Sequence, residues 1–177
     1  MNHRWQRFEL LSGEWRLCLA CNRWVADKSV VRFFRVVSRL GDGMIWYALM
    51  LVLAVLCGDR GRQAALHMAL VGLVAATLYR LLKRWTRRPR PFRSHAGIVA
   101  HIPPLDEYSF PSGHTLHATS FSLVALAWFP SLLAALLPLT LAIALSRVIL
   151  GLHYPSDVIV AMAIGTGLAE LSLVLVF

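Results

Sequence analysis

Between Thr115 and Ser146 the chain runs for 32 residues without a charged side chain. A water-soluble domain carries about 25% charged residues, so a gap of that length points to a lipid environment. As one helix the run would reach about 48 Å, well beyond a hydrocarbon core about 30 Å thick. Phe129-Pro130-Ser131 stands near its middle. Proline breaks the helical hydrogen-bond ladder, so a tight hairpin is expected there, with one span on either side.

The same reading extends along the chain. Gly43 to Gly58 and Gln63 to Tyr79 are uncharged, and Val158 to Phe177 carries only Glu170. About 20 helical residues cross a bilayer, with a range of roughly 17–25. Five spans are predicted, over residues 43–60, 63–82, 112–129, 131–148 and 155–177. Pro138 is expected to kink the fourth. Lipid cannot pair backbone polar groups, so each segment must be helical. The expected fold is therefore all-α: an integral-membrane helical bundle with an N-terminal amphipathic helix. The composition agrees, at 58% hydrophobic and 15% charged. It excludes a disordered or nucleic-acid-binding chain. Three cysteines cannot form a disulfide framework.

The first 42 residues hold eight of the 18 Lys and Arg residues. Val30-Val31, Phe33-Phe34, Val36-Val37 and Leu40 alternate with Arg32, Arg35 and Arg39 at helical spacing. Residues 1–42 are accordingly expected to be a basic interfacial segment in the headgroup layer. Residues 43–177 form the expected membrane domain, with an active-site loop over 83–113. Trp5, Trp15, Trp24, Trp46 and Trp85 are assigned to the interface belt. Arg84, Arg87, Arg88 and Arg93 are read as anchors to anionic lipid. Cys18 and Cys21 are read as structural, and Cys57 as a small buried apolar residue.

Polar residues cluster at the ends of the spans. One cluster runs from Lys83 to Pro91, a second from Ser109 to His114, and a third comprises Ser146, Arg147, His153 and Asp157. If span two ends at the first cluster, span three starts on that same side, at the second. Span four then returns to the third cluster, where span five begins. All three clusters converge on one membrane face, and ionisable groups there point to function.

Their chemistry suits a phosphate. Lys83, Arg90 and Arg147 offer cationic donors to phosphoryl oxygens. Ser112 and Gly113 open a helix, whose free N–H groups make an anion site. His114 can protonate a leaving oxygen. His153 can act as a nucleophile, and Asp157 can hold its second ring nitrogen. His114 and His117 have a spacing that could ligate a metal, but no further ligand set accompanies them.

Lys83-(six residues)-Arg90-Pro91, Pro111-Ser112-Gly113-His114 and Ser146-Arg147-(five residues)-His153-(three residues)-Asp157 resemble the three signature motifs of the type 2 phosphatidic acid phosphatase superfamily. All three are complete and in the family's order. The resemblance implies a metal-independent, cofactor-free lipid phosphohydrolase. It implies attack by His153 and a phosphohistidine intermediate, with Asp157 orienting His153. His114 would be the acid and then the base, and Lys83, Arg90, Ser112, Gly113 and Arg147 would bind the phosphoryl group.

The short chain resembles small bacterial undecaprenyl-diphosphate phosphatases, so undecaprenyl diphosphate is the expected substrate. Phosphatidylglycerophosphate and phosphatidic acid are the alternatives. The loop from Phe92 to Phe110, with His95, His101, Asp106 and Glu107, is expected to lie over the site. Partners are the lipid substrate and membrane lipids, with no nucleic acid and no obligate protein partner. The distribution of basic residues points the site to the cytoplasm. The bacterial resemblance implies a cytoplasmic membrane with the site facing the periplasm or outer surface, and that orientation is the expectation kept. An anion transporter or channel is the alternative from another class. It accounts for Lys83 and Arg147 but not for the spacing of His153 and Asp157.

Overall fold

The computed structural model describes residues 13–23 and 28–176, all helix, turn and loop. Trp5 and Trp24 lie outside these residues. Eight α-helices follow in order: α1 (Glu14–Arg23), α2 (Lys28–Leu40), α3 (Met44–Leu56), α4 (Gly58–Thr86), α5 (Pro91–Ser94), α6 (Gly113–Trp128), α7 (Leu133–Ile149) and α8 (Pro155–Val176). Phe129 ends α6 and a short 3₁₀ turn over Pro130–Leu132 leads into α7, as the proline predicted. Pro138 lies inside α7.

Among the described residues, three segments are long and apolar enough to cross a membrane: Gly58–Ser94, Pro130–Ile149 and Pro155–Val176. A fourth arises if α2 and α3, bent by 50° at their junction, are one broken span. The expected count of five is not reached on length and apolarity. α3 has 13 residues and α6 has 16. α6 packs against α4, α7 and α8 at the centre of the bundle, with ten buried residues. Its partners are mostly protein, so it does not need the apolar reach of a lipid-facing span.

The outer faces show what the bundle presents to lipid. Leu133, Leu137, Leu141 and Leu145 recur every four residues along α7, and all are exposed. Leu66, Leu70, Leu73 and Leu81 on α4 are exposed as well. Such stripes are stable only against hydrocarbon. Inside, Trp46, Met68, Phe121, Val124 and Ile143 form the principal core with small alanines between them. Trp46 is 1% exposed and packs on Phe121, with ring centroids 5.5 Å apart. It is a core residue, not an interface anchor, because the α2–α3 bend turns its ring inward. Cys57 is exposed at the α3–α4 junction, where the chain has left the core.

Two polar links fasten the apolar core. Ser122 and Thr140 share a hydroxyl hydrogen bond of 2.7 Å between α6 and α7. Trp128 Nε1 donates to His67 Nδ1 at 3.1 Å, and His67 Nε2 reaches Ser172 Oγ at 2.9 Å. These tie α4, α6 and α8 together where unpaired polar groups would be costly.

Candidate active site

The polar residues of the three motifs arrive from different helix ends. Lys83 sits in the last turn of α4, which closes with Arg87 in the left-handed region at φ 49°. Arg90 precedes α5, whose first residue is Pro91. Ser112 caps the start of α6, ahead of Gly113 and His114. Arg147 lies in the last turn of α7, and Asp157 in the first turn of α8. His153 rides on the strap between α7 and α8.

That strap is held from both sides. The amides of Leu152 and His153 donate to the Arg147 carbonyl at 3.1 and 3.0 Å. Gly151 has φ +75°, and a Cβ there would lie 2.5 Å from the Val99 carbonyl oxygen. Only glycine meets both demands. The Leu152 carbonyl accepts from Arg90 Nη1 at 2.8 Å.

These residues border a cavity of about 640 Å³. Lys83, Arg90, Gly113, His114, Arg147 and His153 line its polar end, with Asp42 and Asp106. Trp46, Met50, Leu73, Ala76, Tyr79 and Phe121 line much of the remainder, with Arg80 and His117 among them. Ser112 is not on the wall: its hydroxyl pairs with Thr115 Oγ1 at 3.0 Å and its amide donates to the Asp157 carbonyl at 3.2 Å. Asp157 stands behind His153 and is fully buried.

The state of His153 follows from its neighbours. Arg90 Nη1 lies 3.1 Å from His153 Nε2. A guanidinium has donors only, so Nε2 accepts and carries the lone pair. Nδ1 then bears the hydrogen and faces Asp157 Oδ2 at 3.6 Å, with no closer partner. Burial, and then the charges of Arg90, Arg147 and Lys83, hold the imidazole well below its usual value of 6.5. It is therefore neutral at pH 7. The unfolded chain takes a proton near 6.5 while the folded one does not. This residue therefore lowers stability as pH falls below 6.5 towards the folded value, and its lone pair stays free through that range.

Anionic and neutral acceptors pair with the cations of this site. Asp106 Oδ1 accepts from Lys83 Nζ at 2.6 Å and from Arg90 Nη2 at 2.8 Å. Lys83 also donates to the Tyr108 carbonyl at 2.8 Å. Asp42 accepts from His114 Nε2, and Ser38 from Arg147 Nη1. Arg147 Nε is buried without a partner. Gly41 makes the Asp42 contact possible, since a Cβ there would lie 3.2 Å from the His114 ring and 3.1 Å from Ile143.

Three features escape the sequence reading. The N-terminal segment expected among headgroups also supplies Ser38, Asp42 and Glu14 to the site region. Asp106, in the loop expected over the site, accepts from two of its cations, a pairing the sequence does not announce. Arg88, expected to anchor lipid, is buried in an ion pair with Asp157 at 2.6 Å and another with Glu14 at 2.6 Å. The physical reason is that a fully buried carboxylate needs a counter-charge, and Arg88 is the cation within reach. A charge pattern alone does not distinguish that role from anchoring. Among the described residues, no group of three or more His, Cys, Asp or Glu is placed to hold a metal ion. His117 Nδ1 instead pairs with the Gly113 carbonyl at 2.8 Å.

The chain is similar to known proteins over most of its length. Residues 62–177 fit the model of the PAP2 superfamily. The chain is 32% identical over 155 residues to decaprenylphosphoryl-5-phosphoribose phosphatase of Mycobacterium tuberculosis, covering 86% of this chain and 85% of the relative. It is 32% identical over 127 residues to the undecaprenyl-diphosphatase BcrC of Bacillus subtilis, covering 69% and 65%. Its fold superposes on the transmembrane PAP2-type phosphatidylglycerolphosphate phosphatase of Bacillus subtilis with a TM-score of 0.78 at 22% identity, covering 92% of this chain and 84% of that one. With the family model spanning well over half the sequence and the helical scaffold shared, the chain belongs to the PAP2 superfamily and is a multi-pass membrane phosphatase.

Proposed function

We propose that this protein removes the terminal phosphate of undecaprenyl diphosphate, through a phosphohistidine formed on His153 and without a metal. The observation that carries the reading is a single cavity with cations and a neutral imidazole at one end and an apolar wall at the other. A polyprenyl diphosphate has that same division. Similarity to BcrC supports the diphosphate. The broader match to the decaprenylphosphoryl-5-phosphoribose phosphatase favours a second reading, a phosphomonoester on a polyprenyl-linked sugar. The proposed setting is the cytoplasmic membrane, with the site facing outward.

The geometry is compatible with the following steps. Incoming phosphoryl oxygens compete with Asp106 for Lys83 and Arg90, and Arg147 adds its unused Nε. As Arg90 turns to the phosphate, it releases His153 Nε2. That lone pair attacks phosphorus, forming the P–N bond while the bridging P–O bond breaks. The imidazole gains positive charge, and Asp157 answers it across Nδ1. His114 gives its proton to the leaving oxygen of undecaprenyl phosphate. It then takes a proton from the water that opens the P–N bond and releases phosphate. Asp42 accepts from His114 Nε2, so that nitrogen carries a hydrogen, since a carboxylate can only accept.

Two measurements test this reading. Initial rates in detergent on undecaprenyl diphosphate, phosphatidylglycerophosphate, phosphatidic acid and a polyprenyl-linked sugar phosphate are expected to favour the first, and to be unchanged by EDTA. Faster turnover of any other lipid replaces the substrate assignment. His114→Ala is expected to lose roughly 10²–10⁴-fold in rate, most with the poorest leaving groups. A leaving-group series with uniform loss would remove His114 from the acid role.

A further inference from the structure

The line of charge behind His153 extends further than the dyad. Arg88 Nη1 donates to Asp157 Oδ1 at 2.6 Å and to Ser156 Oγ at 2.7 Å. Arg88 Nη2 donates to Glu14 Oε1 at 2.6 Å. Glu14 Oε2 accepts from the Ser156 amide at 3.2 Å, so α1 lends a carboxylate to the first turn of α8. The guanidinium lies 4.1 Å over the Tyr154 ring. Its backbone is fixed as well, because the Arg88 carbonyl accepts from the Ser109 amide at 2.8 Å.

Glu14, Arg88 and Asp157 thus alternate in sign and end on the imidazole. Their side chains are 12%, 9% and 0% exposed. Burying three charges is costly, and a buried ion pair is weak evidence for stability alone. The geometry gives this one a use. Both Asp157 oxygens are committed, Oδ1 to Arg88 and Oδ2 to the Tyr154 amide at 2.8 Å, and only the latter also faces His153 Nδ1. Arg88 decides which oxygen that is, and Glu14 fixes the rotation of Arg88.

We infer that Glu14 and Arg88 are positioning residues for the nucleophile, acting on His153 through Asp157, so that α1 is a working part of the phosphatase. The inference rests on the proposed attack by His153. It does not depend on which lipid is the substrate.

Steady-state kinetics on undecaprenyl diphosphate in detergent test it. Glu14→Gln is expected to lower kcat roughly ten- to a hundredfold, since a small misplacement of a reacting group costs that much. KM should stay within about twofold, because neither residue lines the cavity. Arg88→Lys keeps the charge but cannot fork between two carboxylates, and it should show the same split. The double variant Glu14→Gln/Asp157→Asn decides the route: a chain acting through Asp157 costs less than about twofold beyond Asp157→Asn alone. Unchanged kcat in both single variants, or an equal loss with and without Asp157, would overturn the inference. A wild type without turnover on any lipid phosphate would instead overturn the phosphatase mechanism on which it rests.

Discussion

Replacing His153 with alanine is expected to reduce phosphate release by roughly 10⁴-fold or more, because no second nucleophile is positioned to take its place. His153 Nε2 is the lone pair at the cationic end of the cavity, and Arg90 holds it there. Two further imidazoles line the cavity: His114 has its Nε2 engaged with Asp42, and His117 has its Nδ1 paired with the Gly113 carbonyl. The substitution also removes a buried imidazole that makes few polar contacts, so the variant should fold and remain monodisperse in detergent. Phosphate release measured beside size-exclusion behaviour checks both halves. A folded variant with undiminished turnover rules out His153 as nucleophile.

Asp157→Asn should come next, with a loss of roughly 10³–10⁴-fold in kcat by analogy of role with the carboxylate of a catalytic triad. Asp157 accepts from Arg88 and from the Tyr154 amide, and faces the Nδ1 hydrogen of His153. An amide has one accepting end. With its oxygen towards Arg88, its NH₂ opposes the Tyr154 amide and His153 Nδ1. The imidazole then favours a hydrogen on Nε2, which in turn opposes the Arg90 donor. In the other orientation the NH₂ meets the guanidinium of Arg88. Either way the attacking lone pair or its support is lost. Single-turnover kinetics should place the defect in phosphoryl transfer to the protein rather than in lipid binding.

Much of this was legible in the residues. The uncharged runs marked α4, α7 and α8, and Phe129-Pro130 marked the turn between α6 and α7. The parity of the spans required three clusters on one face, and Lys83, Arg90, Gly113, His114, Arg147 and His153 do share one cavity. What stayed hidden came from long-range contacts without local periodicity. Glu14 lies 74 residues from Arg88, Ser38 lies 109 from Arg147, and Asp42 lies 72 from His114. Nothing in a basic amphipathic pattern announces such pairings. Ser112 is a related case. Its position at the start of α6 is right for an anion site, but Thr115 and Asp157 already occupy its groups. Among the described residues, length and apolarity mark three spans, or four with the bent α2–α3 pair, while α6 is short and packs largely against protein.

The central claim is a covalent one, and trapping tests it most directly. Undecaprenyl diphosphate labelled in its terminal phosphate would be mixed with the His114→Ala variant, in which hydrolysis of the P–N bond is expected to lag its formation. The reaction would be stopped within a turnover and the protein digested. The account predicts label on the imidazole of His153, absent when that residue is alanine. Label on another side chain, or phosphate released with no protein-bound label at any time, would contradict it.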